Sequence, residues 1–287
     1  MIILTGATGN TGSVVADALL AAGQKVRILA RNPEKARALA ERGAEIVPGD
    51  IADRAALERA FSGAQALYLL SPPDAKAEDF IAERRVLMER LVSVAREAQL
   101  GHVVFLSSIG AQHPDGTGLI RTAHDTETLL RAAGIPSTFL RAGYFAENWA
   151  AVVPVARTEG VLPSFLPLDQ SVPMVATRDI GRLAAQVLLE GPRGTRVLEL
   201  AGPIDVTPRD VALALGEVLA KKIHTVEAPL ESVVPTFTSF GVSAGIAALY
   251  REMYAGFRSG RVAWQGAGSE FRRGTTSITD VLRALAR

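Results

Sequence analysis

Glycines at positions 6, 9 and 12 punctuate the stretch Thr5-Gly6-Ala7-Thr8-Gly9-Asn10-Thr11-Gly12. The apolar run Ile2-Ile3-Leu4 precedes it, and Val14, Val15, Ala18, Leu19 and Ala22 follow at helical spacing. A strand-to-helix turn leaves backbone N–H groups free beside the positive end of the helix dipole, which together make a pyrophosphate site. Glycine is needed there for a sharp turn, a close approach to phosphate, or tight packing of helix on strand. The spacing is GxxGxxG rather than GxGxxG, and a purely structural turn would also use glycine. Placed ahead of repeated strand–helix units, it reads as a dinucleotide turn formed by Gly6, Thr8, Gly9, Asn10, Thr11 and Gly12. At the end of the second strand, where an NAD site carries an acid for the ribose 2′-hydroxyl, stands Arg31. A guanidinium there suits a 2′-phosphate, and Lys35 one turn later adds a second charge, so the expected cofactor is NADP(H). The alternative reading is two ordinary solvated side chains at a helix start. Asp50, after the third strand, is placed to accept from an adenine amino group or to cap the next turn.

Other groups capable of chemistry are sparse. Ser107 and Ser108 end a strand at the sheet's carboxyl edge, where ligands bind and where serines also cap loops; Ser107 is taken as a cofactor contact. His102, His113 and His224 have no ligand-like spacing, so no metal site is assigned. Gly-x-Ser-x-Gly is absent, which argues against a serine hydrolase. Trp149, Trp264, Phe145, Phe165, Phe237 and Phe240 either line an aromatic pocket or pack in the core.

These residues are strung on a regular frame. Strands are expected at 2–4, 25–30, 45–47, 65–70, 102–106, 137–140 and 196–200. Between them run helical patterns, including Phe80, Leu87, Leu91, Val94 and Ala98 along one face, and segments 122–133 and 180–189. Strand–helix alternation predicts an α/β fold, a doubly wound parallel Rossmann sheet, with a smaller, mostly helical C-terminal substrate region. Residues 1–150 form the cofactor-binding core, completed by about 173–204. Residues 151–172, rich in proline, and 205–287 form the substrate cap.

Composition narrows the classes. Of 287 residues 48% are apolar, enough for a large core. With 31 Lys plus Arg against 30 acids, no nucleic-acid or anionic-membrane surface is expected. Cysteine is absent, which excludes disulfides, thiolate nucleophiles and iron–sulfur clusters. No apolar run reaches membrane-span length, and MIILTGATGN lacks a basic n-region, so the expectation is a cytoplasmic protein.

TGATGNTG, the RNPEK stretch at 31–35, Gly49-Asp50, and LRAGYFAENW at 140–149 together resemble the NmrA-like atypical short-chain dehydrogenases. The resemblance implies a Rossmann domain that binds NADP(H). It implies that Ser71, Pro72 and Pro73 lie beside the nicotinamide-side ribose, with Tyr144, Phe145, Asn148 and Trp149 near nicotinamide and substrate. Relatives of this type range from quinone and dye reductases to redox sensors without catalysis. Short-chain dehydrogenases usually use Tyr-x-x-x-Lys, yet Tyr68, Tyr144, Tyr250 and Tyr254 are followed four residues on by Pro72, Asn148, Tyr254 and Arg258. Aligning Glu127 with the family's acid puts Leu119 and Ala123 at the Tyr and Lys places. His124, one residue off, and Tyr144 are the remaining candidate catalytic groups; each has a plain reading as a flank or packing residue. A reductase of a planar acceptor such as a quinone suits the missing pair, because a stabilised phenolate product can be protonated by water. An NADP(H) sensor is the alternative.

Overall fold

The computed structural model describes residues 1–72 and 74–287; Pro73 lies outside the described residues. In chain order the first half runs β1 (Ile2–Thr5), α1 (Asn10–Ala21), β2 (Val26–Ala30), α2 (Arg37–Glu41), β3 (Glu45–Pro48), α3 (Arg54–Phe61), β4 (Ala66–Leu69), α4 (Phe80–Glu97), β5 (His102–Ser108), α5 (Arg121–Ala132) and β6 (Ser137–Ala142). The second half runs β7 (Tyr144–Phe145), α6 (Val153–Glu159), β8 (Val161–Ser164), β9 (Met174–Val175), α7 (Thr177–Glu190), β10 (Arg196–Ala201), α8 (Pro208–Leu219), β11 (His224–Glu227), α9 (Val233–Ser239), α10 (Ala244–Ser259), β12 (Glu270–Arg273) and α11 (Ile278–Leu285).

Eight strands form one parallel sheet in the order β3-β2-β1-β4-β5-β6-β10-β12. Chain order reverses between β1 and β4, which is the switch point where such sheets bind ligands. Alternate side chains of each strand feed two separate cores. Leu4, Ile28, Tyr68, Val104 and Leu198 pack with Val15, Leu19, Ile180 and Ala184 of α1 and α7. Ile3, Leu67, Val103, Phe105 and Phe139 pack with Leu57, Leu91 and Leu130 of α3, α4 and α5. Helices α1 and α7 touch closely because residue 181 is glycine: a Cβ there would meet Val14 Cβ at 2.6 Å.

The second half holds more regular structure than its prolines suggested. Pro154 sits in the first turn of α6, where a missing N–H costs nothing, and β8 pairs with β11 in a two-stranded sheet. Segment 205–287 is not wholly a cap, since β12 returns to pair with β10 at the edge of the main sheet. Among the described residues no helix is long and apolar enough to cross a membrane.

His102, at the start of β5, is buried, with Nε2 3.1 Å from Thr138 Oγ1. Burial first, and Arg196 second, push its pKa down from 6.5 to about 4. Below pH 6.5 the unfolded chain takes up a proton that the folded one refuses, so stability should fall as pH drops from 6.5 to about 4. Above 6.5 both states are neutral and the effect vanishes. At ~1.4 kcal/mol per pKa unit the loss reaches about 3 kcal/mol. Urea midpoints across this range should fall less steeply for His102→Asn than for wild type; equal slopes would contradict the assignment.

Candidate cofactor cleft and acceptor edge

A cleft of about 1060 Å³ opens at the carboxyl ends of β1, β2, β3 and β4. Gly6 and Thr8 line one wall, Arg31, Asn32 and Lys35 the next, and Asp50, Ile51 and Ala52 the third. Pro72, Asp74 and the α4 residues Glu83, Arg84, Val86, Leu87 and Arg90 close it.

The glycine turn is built as its sequence suggests. Gly6 has φ +65°, a conformation open to glycine at little cost, and a Cβ at Gly12 would lie 2.2 Å from the Gly6 oxygen. Gly12 therefore lets helix meet strand. Thr11 is buried and its Oγ1 accepts from the Tyr68 hydroxyl at 3.0 Å, so its side chain anchors α1 to β4. Gly9 caps α1 without any side-chain hydrogen bond and the first turn carries no acid, whereas Asp53, Asp79, Thr207, Ser243 and Ser277 cap α3, α4, α8, α10 and α11. The first amides of α1, from Asn10 on, thus have no side chain competing with an anion.

Arg31 is exposed, with Nε 3.9 Å from Asp50 Oδ2. Asp50 Oδ1 accepts from Ala52 N at 2.8 Å, so Asp50 caps its own turn while facing the cleft. Arg84 is a site residue the sequence reading passed over. It occupies the same stripe as Phe80, Leu87 and Leu91, and an arginine in an apolar stripe was the available signal. Arg84 is nine-tenths buried; Nη1 donates to the Pro72 oxygen at 3.1 Å, and Nε has no partner. Ser71 Oγ is also buried without a partner. The four cations Arg31, Lys35, Arg84 and Arg90, an uncapped helix and the unpartnered Arg84 Nε match the phosphates of NADP(H), so the residues present fit that cofactor.

Two expectations do not survive. Ser107 is buried and its hydroxyl donates to Glu127 Oε1 at 2.6 Å, because successive strand residues face opposite sides and this one faces α5. It is not a side chain of the cleft. Trp149 is buried, with Nε1 donating to Met174 Sδ at 3.2 Å; it is core rather than pocket lining. His124 lies on the flank of α5 with Nδ1 2.9 Å from the Ala111 oxygen. Phe145 is half-buried against the α1–α7 core.

Tyr144 follows β6 after one residue, Gly143. Gly143 makes this possible: a Cβ there would lie 2.3 Å from the Pro173 oxygen, where β7 pairs with β9. Burial raises the Tyr144 pKa, while hydrogen bonds from Tyr254 and Asn148 oppose that rise. Its ring meets Phe257 edge-on at 6.0 Å and Trp149 at 6.3 Å. Tyr144 is the one candidate catalytic group placed at the carboxyl edge among aromatic rings.

The model of the NmrA-like family matches residues 1–259. A reductase of (4-alkanoyl-5-oxo-2,5-dihydrofuran-3-yl)methyl phosphate from Streptomyces griseus is 34% identical over 225 residues, 78% of this chain and 76% of that one. Quinone oxidoreductase 2 of Escherichia coli is 29% identical over 262 residues, 91% of this chain and 89% of its own. The crystal structure of an NADPH-dependent quinone oxidoreductase from Escherichia coli, complexed with NADPH, superposes with a TM-score of 0.85 at 27% identity, over 100% of both chains. With a family model spanning nine-tenths of its length, this chain belongs to the NmrA-like family.

Proposed function

We propose that this NAD(P)H-dependent oxidoreductase reduces a small planar acceptor, a quinone or a conjugated ring of similar size. The observation that carries the reading is the setting of Tyr144: a phenol just past β6 whose ring meets Phe257 edge-on and Trp149 beside it, and which burial holds in its neutral form. When bound, NADPH supplies a hydride, two electrons with one proton, and is oxidised to NADP⁺. A quinone that accepts it becomes the hydroquinone anion, and one proton from water completes the hydroquinone.

The chain's own work is binding and orientation. Arg31 and Lys35 hold the 2′-phosphate, the first amides of α1 the pyrophosphate, and Asp50 with Ile51, Val86 and Arg90 the adenine end. Burial keeps Tyr144 in its protonated form, so it serves as a hydrogen-bond donor to the acceptor rather than as an acid that must ionise. His124 takes no part.

Steady-state NADPH oxidation with a panel of benzoquinones and naphthoquinones tests the proposal. Turnover is expected with at least one quinone, and His124→Ala should keep the rate within a few-fold, since loss of a true general acid costs about 10²–10⁴. Tight NADPH binding without turnover of any quinone would favour the sensor reading instead.

A further inference from the structure

Beside Tyr144 lies a set of aromatic residues that the sequence reading divided between core and pocket. Phe237 of α9 stacks on Tyr250 of α10, with centroids 4.3 Å apart and planes 26° from parallel. Phe165 flanks them, 6.2 Å from Phe237 and 5.3 Å from Tyr254. Phe165, Phe237 and Tyr250 are half-buried, so each keeps part of its surface open, whereas Tyr254 and Phe257 behind them are buried. Tyr250 and Tyr254 are one helical turn apart on α10, whose Phe257 meets the Tyr144 ring at 6.0 Å. The helix that carries Tyr250 is tied at its start to the loop after β4: Ser243 N donates to the Ala75 oxygen at 2.9 Å and its Oγ to the Ala77 oxygen at 2.8 Å. That loop continues from Pro72 and Asp74, which line the cleft.

Resting on the reductase reading above, we propose that Phe165, Phe237 and Tyr250 form the surface on which the acceptor's ring stacks, and that Tyr254 is a positioning residue which fixes Tyr144 as hydrogen-bond donor to the acceptor's oxygen. Tyr144 meets Phe257 edge-on at 6.0 Å, so the face of α10 that also carries Tyr254 lies beside it, and Tyr254 and Asn148 oppose the rise that burial gives the Tyr144 pKa, as groups directed at its oxygen would. A phenol carries one O–H donor of its own, which suits an acceptor's oxygen. An acceptor gaining a hydride builds negative charge on its oxygen, where a pre-oriented donor has most effect. Stacking on an aromatic wall favours extended flat rings over small or saturated carbonyl compounds.

The test uses the full-length protein with two kinds of readout. Binding of a naphthoquinone to the cofactor-free and NADP⁺-loaded protein is followed by quenching of intrinsic fluorescence. Phe237→Leu should weaken it about tenfold, weaken a benzoquinone about threefold or less, and leave NADPH affinity unchanged, with Phe237→Trp restoring naphthoquinone binding. In turnover, Tyr144→Phe should lower kcat about tenfold without removing a limb of the pH profile. Tyr254→Phe should lower it several-fold, and the double variant should be no slower than Tyr144→Phe alone, because Tyr254 acts only through Tyr144. Naphthoquinone binding that is equal in wild type and Phe237→Leu would overturn the stacking surface. Additive losses in the double variant would overturn the positioning role. A wild type that binds naphthoquinone, loses it in Phe237→Leu, yet turns nothing over would leave the ring site standing and remove the reductase reading beneath it.

Discussion

Arg31→Asp is expected to abolish the preference for NADPH over NADH. Arg31 follows β2 directly, lines the cleft and holds its guanidinium 3.9 Å from Asp50. A charge-assisted contact to the 2′-phosphate contributes on the order of 1.5–3 kcal/mol, so its loss costs roughly ten- to a hundredfold in NADPH affinity. The new carboxylate, close to Asp50, repels a phosphate dianion and offers an acceptor to the NADH 2′-hydroxyl. The Arg31 side chain is 76% exposed, so salt screens it, and the wild-type preference should itself shrink as ionic strength rises. Titrating both cofactors into both proteins at low and high salt decides the matter. A variant whose NADPH-to-NADH affinity ratio equals that of wild type would remove Arg31 from the cofactor site.

The second large effect concerns stability. Glu127 and Arg141 are buried and form a bidentate pair, Nε to Oε1 at 2.8 Å and Nη2 to Oε2 at 2.7 Å. Ser107 and Arg131 also donate to Glu127, at 2.6 and 3.0 Å, and Gln265 accepts from Arg141 at 2.7 Å. Removing Arg141 leaves the buried Glu127 carboxylate with only Ser107 and the half-exposed Arg131, so Arg141→Met should lower unfolding stability by about 3 kcal/mol. Replacing both, Arg141→Met with Glu127→Leu, should recover much of that loss, because no buried charge then remains and the Arg131 guanidinium released from Glu127 is half-exposed to water. Urea denaturation of the three proteins measures both effects. A loss below about 1 kcal/mol in the single variant would contradict the buried pair.

What the sequence disclosed depended on how local the signal was. The turn after β1 was legible because glycine spacing reports a backbone requirement directly, and Gly6 and Gly12 meet it by conformation and by close approach. The order of β1 to β6 followed from alternating patterns, since buried parallel strands read as apolar runs. Strand β12 was not legible: Glu270–Arg273 is a short, charged, largely exposed edge strand with no apolar run to announce it. Ser107 and Ser108 show a second limit. They end the same strand facing opposite sides, and only the position of Glu127 on α5 reveals which side Ser107 faces. The aromatic wall was half visible. Tyr250 and Tyr254 were noted at four-residue spacing, but their meeting with Phe237 and Tyr144 requires α9 and α10 to fold back on β7, a long-range contact that spacing alone does not encode.

The most direct test of the account is a single turnover. Protein loaded with one equivalent of NADPH is mixed with excess naphthoquinone while the nicotinamide absorbance is followed. The absorbance should disappear at a rate that saturates with quinone. One hydroquinone should form per NADPH, and deuterium at the transferred position should slow the step. An absorbance that persists while both ligands are bound would contradict it.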